Sequence, residues 1–446
     1  DTFRDQLKYA RHYERTHDID HIAAMGISML RYPILWEAHQ HRNEEEKINW
    51  SQTSQQLEKI RSNHMVPIAG LVHHGSGPKF TNLLDDHFAE KLAAYGLKVA
   101  TQFPWIEYYT PVNEPLTTAR FSGLYGCWYP HYKNEHSFLK MLINQLKAIV
   151  LCMKSIRTVN PDAKLIQTED LAKVHSTPTL KYQADFENER RWLTYDFLYG
   201  KVDRTHPMWD YFIDNGIKEK DLQFFIDNPC TPYITGFNYY VTSERYLDER
   251  VNLYPETSWG GNDTHVYSDV AAVRAIKPSG LKKLLREAWK EYQSPMALTE
   301  VHMNCTREEQ LRWFKEAWDQ CVELRKEGVK IQAITAWSLL GAYDWDSLLT
   351  REQGNYESGV FDISKNGLRP TAMAKLISDL AKKGEFYHPV MSEKGWWHKS
   401  YPQSRKNFSK LKGRPVLILG AGGTLGTAFA KICALRSLSY HASKHH

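Results

Sequence analysis

The sequence predicts an α/β fold, a (β/α)8 TIM barrel lacking its first strand, with a short βα piece of Rossmann type at the C-terminus. Three observations lead there. Short β-branched or aromatic runs alternate with amphipathic stretches from residue 18 to residue 383. Near-continuous apolar strands separated by helices belong to a parallel sheet covered by helices. Acidic and amide side chains follow directly after several of those runs, at the strand ends where a barrel gathers its chemistry. An open doubly wound sheet is the alternative for this region.

The strand candidates, in order, are residues 27–34, 66–72, 106–112, 164–168, 233–240, 296–300 and 331–339. Residues 86–102, 138–159, 187–199, 307–327 and 371–382 carry the helical spacing of apolar residues between them. Ahead of Ile27 the chain is polar and helical in pattern, with Asp18-Ile19-Asp20 opening a helix. No run there reads as an eighth strand, so an N-terminal strand is expected to be missing. Residues 1–383 therefore form the expected barrel and 384–412 a linker. Residues 413–446 form a separate fragment. There Pro415-Val416-Leu417-Ile418-Leu419 reads as a strand, Gly420 to Gly426 as a turn, and residues 427–435 as a helix.

Composition narrows the class. With 446 residues, 42% of them hydrophobic, the chain buries a large core. Its 14 Trp and 25 Tyr suit core packing as well as sugar stacking, so their number alone favours core. The net charge of +5 is mild and partly concentrated between Lys394 and Arg414. No base-reading motif accompanies it, so a nucleic-acid partner is not expected. The six cysteines are scattered without a CxxC pair, which fits free thiols and no metal site. Neither a bilayer-spanning apolar run nor a signal peptide is found, so the expected location is cytoplasmic, away from membranes.

Two strand ends carry the chemistry. Thr110-Pro111-Val112-Asn113-Glu114-Pro115 ends one strand, and Leu298-Thr299-Glu300 ends another. Glutamates at the carboxyl ends of two parallel strands converge on one pocket. Glycosidic cleavage needs that pairing: one protonated carboxyl for the leaving oxygen and one ionised carboxyl for the carbon.

Asn113-Glu114-Pro115 resembles the Asn-Glu-Pro signature of family 1 glycoside hydrolases, retaining β-glycosidases on a (β/α)8 barrel. The resemblance covers residues 18 to 383. It implies Glu114 as general acid/base and Asn113 as the partner of the sugar 2-hydroxyl. Leu298-Thr299-Glu300 resembles the family's Ile-Thr-Glu-Asn-Gly segment and implies Glu300 as nucleophile, although Val301-His302 replaces Asn-Gly. A separation of about 5 Å between the carboxyls would go with retention. Arg31-Tyr32-Pro33-Ile34-Leu35-Trp36 resembles Arg-Phe-Ser-Ile-Ser-Trp, which puts Arg31 beside the nucleophile. His74 takes the place of a sugar-binding histidine. Gly236-Phe237-Asn238-Tyr239-Tyr240 resembles Gly-Ile-Asn-Tyr-Tyr, giving Asn238 as a substrate contact and Tyr240 as a donor to the nucleophile.

Trp337-Ser338-Leu339-Leu340 matches Trp-Ser-Leu-Leu, with Trp337 as the floor for the sugar ring. Gly341-Ala342-Tyr343-Asp344-Trp345 stands where the family has Asp-Asn-Phe-Glu-Trp. The resemblance gives Asp344 and Trp345 as substrate contacts. Asp344 has one methylene less than the family's hydroxyl-binding Glu, which moves its carboxylate back by about a bond length. Glu169 and Asp170, at another strand end, read either as substrate acids or as a loop cap. No residue matches the Gln that the family's first strand brings to the 3- and 4-hydroxyls.

Gly420, Gly423 and Gly426, between a strand and a helix, have dinucleotide-binding spacing. They resemble the opening of extended short-chain reductases such as dTDP-4-dehydrorhamnose reductases. A single βα unit forms no nucleotide crevice, so the fragment is expected to be vestigial. NADP(H) would enter only with a complete reductase domain, and the barrel needs no cofactor. The expected function is retaining hydrolysis of a β-linked small-molecule glycoside or oligosaccharide. The alternatives are a catalytically impaired sugar-binding barrel, or part of a bifunctional protein with sugar-nucleotide reductase activity.

Overall fold

The computed structural model describes residues 3–15, 17–364, 367–399, 415–436 and 438–443. It divides into two units, Asp1–Lys399 and Ser400–His446.

Seven parallel strands make the main sheet of the first unit: β1 (Met29–Pro33), β2 (Val66–His73), β3 (Tyr108–Asn113), β4 (Lys164–Asp170), β5 (Ile234–Tyr239), β6 (Met296–Val301) and β7 (Ile331–Ala336). They stand side by side in chain order. Right-handed crossovers with a helix between strands place each new strand beside the last, which curls the sheet toward a barrel. All six residues of β5 and of β6 are buried, as both-sided burial demands. The pairing aligns the carboxyl ends: His73 opposes Asn113, Asp170 opposes Asn238, and Asn238 opposes Glu300. Inside the curl, Ile68, Ile166, Ile234 and Ala297 form a small apolar floor.

The covering helices follow from their spacing. In α1 (Ser51–Ser62) Leu57 and Ile60 face the sheet, and in α2 (Phe88–Gln102) Phe88, Leu92, Tyr95 and Val99 do so. Helix α3 (Glu135–Arg157) starts at Asn134, whose side chain accepts the Ser137 amide at 2.8 Å. Helices α4 (Leu281–Tyr292) and α5 (Arg307–Lys326) flank β6 in sequence. Helix α6 (Ala372–Lys383) is capped by Thr371 and ends on Gly384 at φ 77°.

Among the described residues, no strand pairs with the outer edge of β1 or of β7. Residues of both strands line one cavity of about 1980 Å³, which reaches from the floor at Ile166 and Ile234 up to Glu300 and Trp345.

Residues 384–399, assigned to a linker by their loss of periodicity, pack instead against α5. Arg312 Nε donates to Val390 O at 2.9 Å, Trp397 Nε1 to Glu316 at 3.0 Å, and Trp397 meets Trp313 edge-on at 5.0 Å. Irregular backbone buries indoles without any periodic signal. The remainder of that expected linker, residues 400–412, lies outside the described residues.

In the second unit β8 (Val416–Leu419) leads into α7 (Thr424–Leu435), and β9 (Tyr440–Ser443) returns parallel to β8. The sequence reading stops at the helix because Tyr440-His441-Ala442-Ser443 has no apolar run; the structure extends the βα piece to βαβ. Gly420 sits at φ 71°, and a Cβ on Gly426 would run into the Gly420 carbonyl.

Candidate active site

Glu114 ends β3 in a left-handed conformation, φ 44° and ψ 62°, with Pro115 opening the short helix Pro115–Ala119. A non-glycine residue pays for that conformation unless its surroundings hold it. Glu169 does the holding. Its carboxylate accepts the Leu116 amide, Thr117 Oγ1 and Thr194 Oγ1, each at 2.8 Å. Glu169 is therefore the cap of the turn that aims Glu114, and Asp170 is engaged by Ser243 Oγ at 2.5 Å.

Glu114 is 5% exposed. Asn238 Nδ2 donates to its Oε1 at 2.7 Å, and His74 Nε2 lies 3.3 Å from its Oε2. Burial, then the charge of Glu300, raise its pKa well above the ordinary carboxylate value. His74 is pushed down to about 3, chiefly by burial, and is neutral. Its Nδ1 bonds Thr118 Oγ1 at 3.0 Å and its Nε2 meets Asn113 Nδ2 at 3.2 Å. With Asn113 donating there, Nε2 is the acceptor and Nδ1 carries the proton toward Thr118.

Glu300, 3% exposed, follows an irregularity in the β6 ladder after Leu298. Arg31 Nη1 donates to its Oε1 at 2.9 Å, and the Tyr240 hydroxyl donates to its Oε2. Burial and then the Glu300 charge raise the Tyr240 pKa far above 10, so the phenol remains a donor. Arg31 Nη2 also reaches Asn113 Oδ1 at 2.7 Å, which ties the two glutamate-bearing strands together.

The structure brings Glu114, Glu300, Arg31, Tyr240, His74 and Asn113 together. Two expected substrate contacts are corrected. Asn238 is fully buried, with its amide on Glu114 and its carbonyl accepting Thr299 Oγ1 at 2.7 Å, so it positions Glu114. Asp344 adopts φ 59°, and the following loop folds back so that its carboxylate accepts the Gln353 and Asn355 amides at 3.2 and 2.9 Å. Arg4 lies 3.6 Å from it. The carboxylate of this side chain, one methylene short, is engaged by its own loop. Asn113 keeps part of its expected capacity: Arg31 and Thr168 occupy its carbonyl and His74 one amide hydrogen, leaving one hydrogen for a ligand.

An aromatic collar surrounds this centre. Trp337 and Trp345 meet at 5.9 Å and 78°, Trp345 lies 5.8 Å from His74, and His74 lies 5.0 Å from Trp128. Trp128 was not singled out from the sequence. Its signal is the aromatic-rich run from Tyr125 through Trp128 and Tyr129 to Tyr132 after the Glu114 strand end, and Trp128 Nε1 pins the Leu348 carbonyl at 2.7 Å. His302 pairs with Glu357 and lies 5.0 Å from Trp337, which makes it a support for that indole. Among the described residues, no three His, Cys, Asp or Glu side chains cluster closely enough to hold a metal ion.

Residues 8–356 match the family model described as glycosyl hydrolase family 1. The chain belongs to glycosyl hydrolase family 1. Solved structures similar to this chain include a family 1 β-glucosidase from Thermotoga maritima, at 16% identity and a TM-score of 0.68, covering 85% of this chain and 88% of that one. The Thermotoga maritima β-glucosidase in complex with cyclophellitol has 17% identity and a TM-score of 0.69, with the same coverage of each chain. At that identity the likeness shows the fold. This family 1 chain is a glycoside hydrolase, and no helix among its described residues is long and apolar enough to cross a membrane.

Proposed function

We propose that this family 1 enzyme hydrolyses a β-linked glycoside with retention at the anomeric carbon. The observation that carries the reading is the asymmetry of its two carboxyls. Glu114 is buried with its pKa raised, beside a neutral histidine, while Glu300 receives a guanidinium and a phenol. Those surroundings suit an acid and a nucleophile respectively.

Glu300 attacks the anomeric carbon as the glycosidic C–O bond breaks, and Glu114 gives its proton to the departing oxygen. The result is a glycosyl ester on Glu300. Glu114, now a carboxylate, takes a proton from water, and that oxygen displaces Glu300 from the anomeric carbon. Two displacements restore the starting configuration. Arg31 and Tyr240 orient the Glu300 oxygens, and Asn238 and His74 hold Glu114. Trp337 and Trp345 offer faces to the apolar side of the sugar ring. The six cysteines, none in a disulfide, support a reducing, cytoplasmic setting.

Incubation with a 2-deoxy-2-fluoro-β-glycoside should leave a covalent adduct on the peptide containing Glu300. A folded, unlabelled protein that also fails to hydrolyse nitrophenyl β-glucoside and β-galactoside would reject this reading. It would favour a sugar-binding barrel, a reading supported by Asp344 facing its own loop.

The second unit supports a dinucleotide-binding origin through its tight Gly420–Gly426 turn at the start of α7. The cradle fits a pyrophosphate, but a nucleotide crevice needs further strands beside β8 and β9, so the residues described do not fit a whole NADP(H). Unchanged nicotinamide fluorescence on mixing with this chain is the expected result.

A further inference from the structure

Glu37 stands in the turn directly after β1, in the short helix Trp36–His39, and it lines the same cavity as His74, Glu300 and Trp345. The residue is 8% exposed, and its buried Oε2 has no hydrogen-bond partner. A buried polar atom without a partner is uncommon and costs free energy. The other inward carboxyls of the site differ in this respect. Glu114 is engaged by Asn238, and Glu300 by Arg31 and Tyr240.

The opposite wall is shaped to leave the carboxyl room. Gly75 follows His74 after β2, and a Cβ placed on it would lie 2.7 Å from Glu37 Oε1. Any larger residue at 75 would push the carboxyl aside. The loop that holds His74 against Glu114 therefore also keeps clearance for Glu37. Burial raises the Glu37 pKa to about 7, and the charged or titratable groups that act on it or feel it are Asp5 and Tyr95. Neither neutralises it.

We infer that Glu37 is a substrate-binding, specificity-determining residue, whose free carboxyl oxygen takes a hydroxyl of the sugar in the cavity. The inference rests on the glycosidase reading and deepens it. It assigns the hydroxyl-reading carboxyl of this chain to the end of β1, since Asp344 faces its own loop. A carboxyl oxygen accepts from a hydroxyl at hydrogen-bond distance, and such a bond to a charged acceptor is worth more than a neutral one. Glu37 touches no reacting atom in this scheme, so its loss should act on binding.

The test compares the unmodified protein with Glu37→Gln and Gly75→Ala, which removes the acid in one case and displaces it in the other. Steady-state kinetics on p-nitrophenyl β-glucoside, β-galactoside and β-fucoside should show KM raised about tenfold or more for the best substrate, with kcat within about threefold. The ranking of the three sugars should flatten. All three proteins should still be labelled at Glu300 by the fluoroglycoside. Wild-type KM and ranking in both variants would overturn the assignment. Should the unmodified chain neither label nor turn over, the glycosidase reading fails separately. Tryptophan-fluorescence titration with methyl β-glucoside then decides on Glu37. Weaker binding by Glu37→Gln supports it, while equal binding, or none by the unmodified chain, overturns it.

Discussion

Asn238 donates its amide to Glu114 Oε1 at 2.7 Å while Thr299 Oγ1 holds the amide's carbonyl at 2.7 Å. This bond favours the ionised form of Glu114 and opposes the effect of burial. Removing it destabilises the carboxylate and raises the acid's pKa further. Asn238→Ala should therefore move the alkaline limb of the kcat/KM profile to higher pH. A loss of rate of about ten- to a hundredfold is expected from the mis-set acid. A pH–rate series on a nitrophenyl glycoside checks both.

Asp344 holds its loop. Burial would raise its pKa, but the Asn355, Gly354 and Gln353 amides outweigh that and leave it below the ordinary value. Asp344→Ala should unfix the segment from Trp345 to Asn355 and expose it to limited proteolysis. It should also lower stability by about 1 kcal/mol, the net scale of a lost hydrogen bond to an amide that water can reach. Denaturant unfolding and a proteolysis time course would show it. Sugar preference should change little.

Much of this site was legible because strand ends and chemistry coincide. Asn113-Glu114-Pro115 and Thr299-Glu300 end buried strands, and Arg31 and Tyr240 follow from motifs on neighbouring strands. Asp344 was misread because its direction is set by amides nine and eleven residues further on, which no local pattern encodes. Glu37 drew no notice, since a glutamate after a strand looks like a solvated turn residue. The docking of Trp397 and the pairing of β9 were missed for a related reason: both depend on tertiary contact without periodicity.

Glu37 also makes stability depend on pH. Its pKa rises from the ordinary 4.5 to about 7, so between those values the folded chain keeps a proton that the unfolded chain releases. Its contribution is complete below about pH 4.5 and is lost as pH rises through 7. Glu37→Gln should therefore lose less stability than the unmodified protein between pH 4 and pH 8. The expected difference is on the order of 3 kcal/mol. Urea unfolding of both proteins at the two pH values measures it.

The open side of the sheet should be visible in hydrogen exchange. Among the described residues β5 is paired on both sides, whereas β7 pairs with β6 alone. Alternate amides of residues 331–336 should exchange much faster than those of residues 234–239, because unpaired edge amides open locally. Equal protection of the two strands would contradict an open edge.

Glu114 and Glu300 divide the work of acid and nucleophile, and replacing Glu300 with Ala and adding azide separates the two roles. Turnover of a nitrophenyl β-glycoside should fall by more than about a thousandfold, on the scale of losing a covalent nucleophile. Azide should then restore part of the rate and give the α-glycosyl azide, seen by NMR. Undiminished turnover by Glu300→Ala, or a β-configured azide product, would contradict that division.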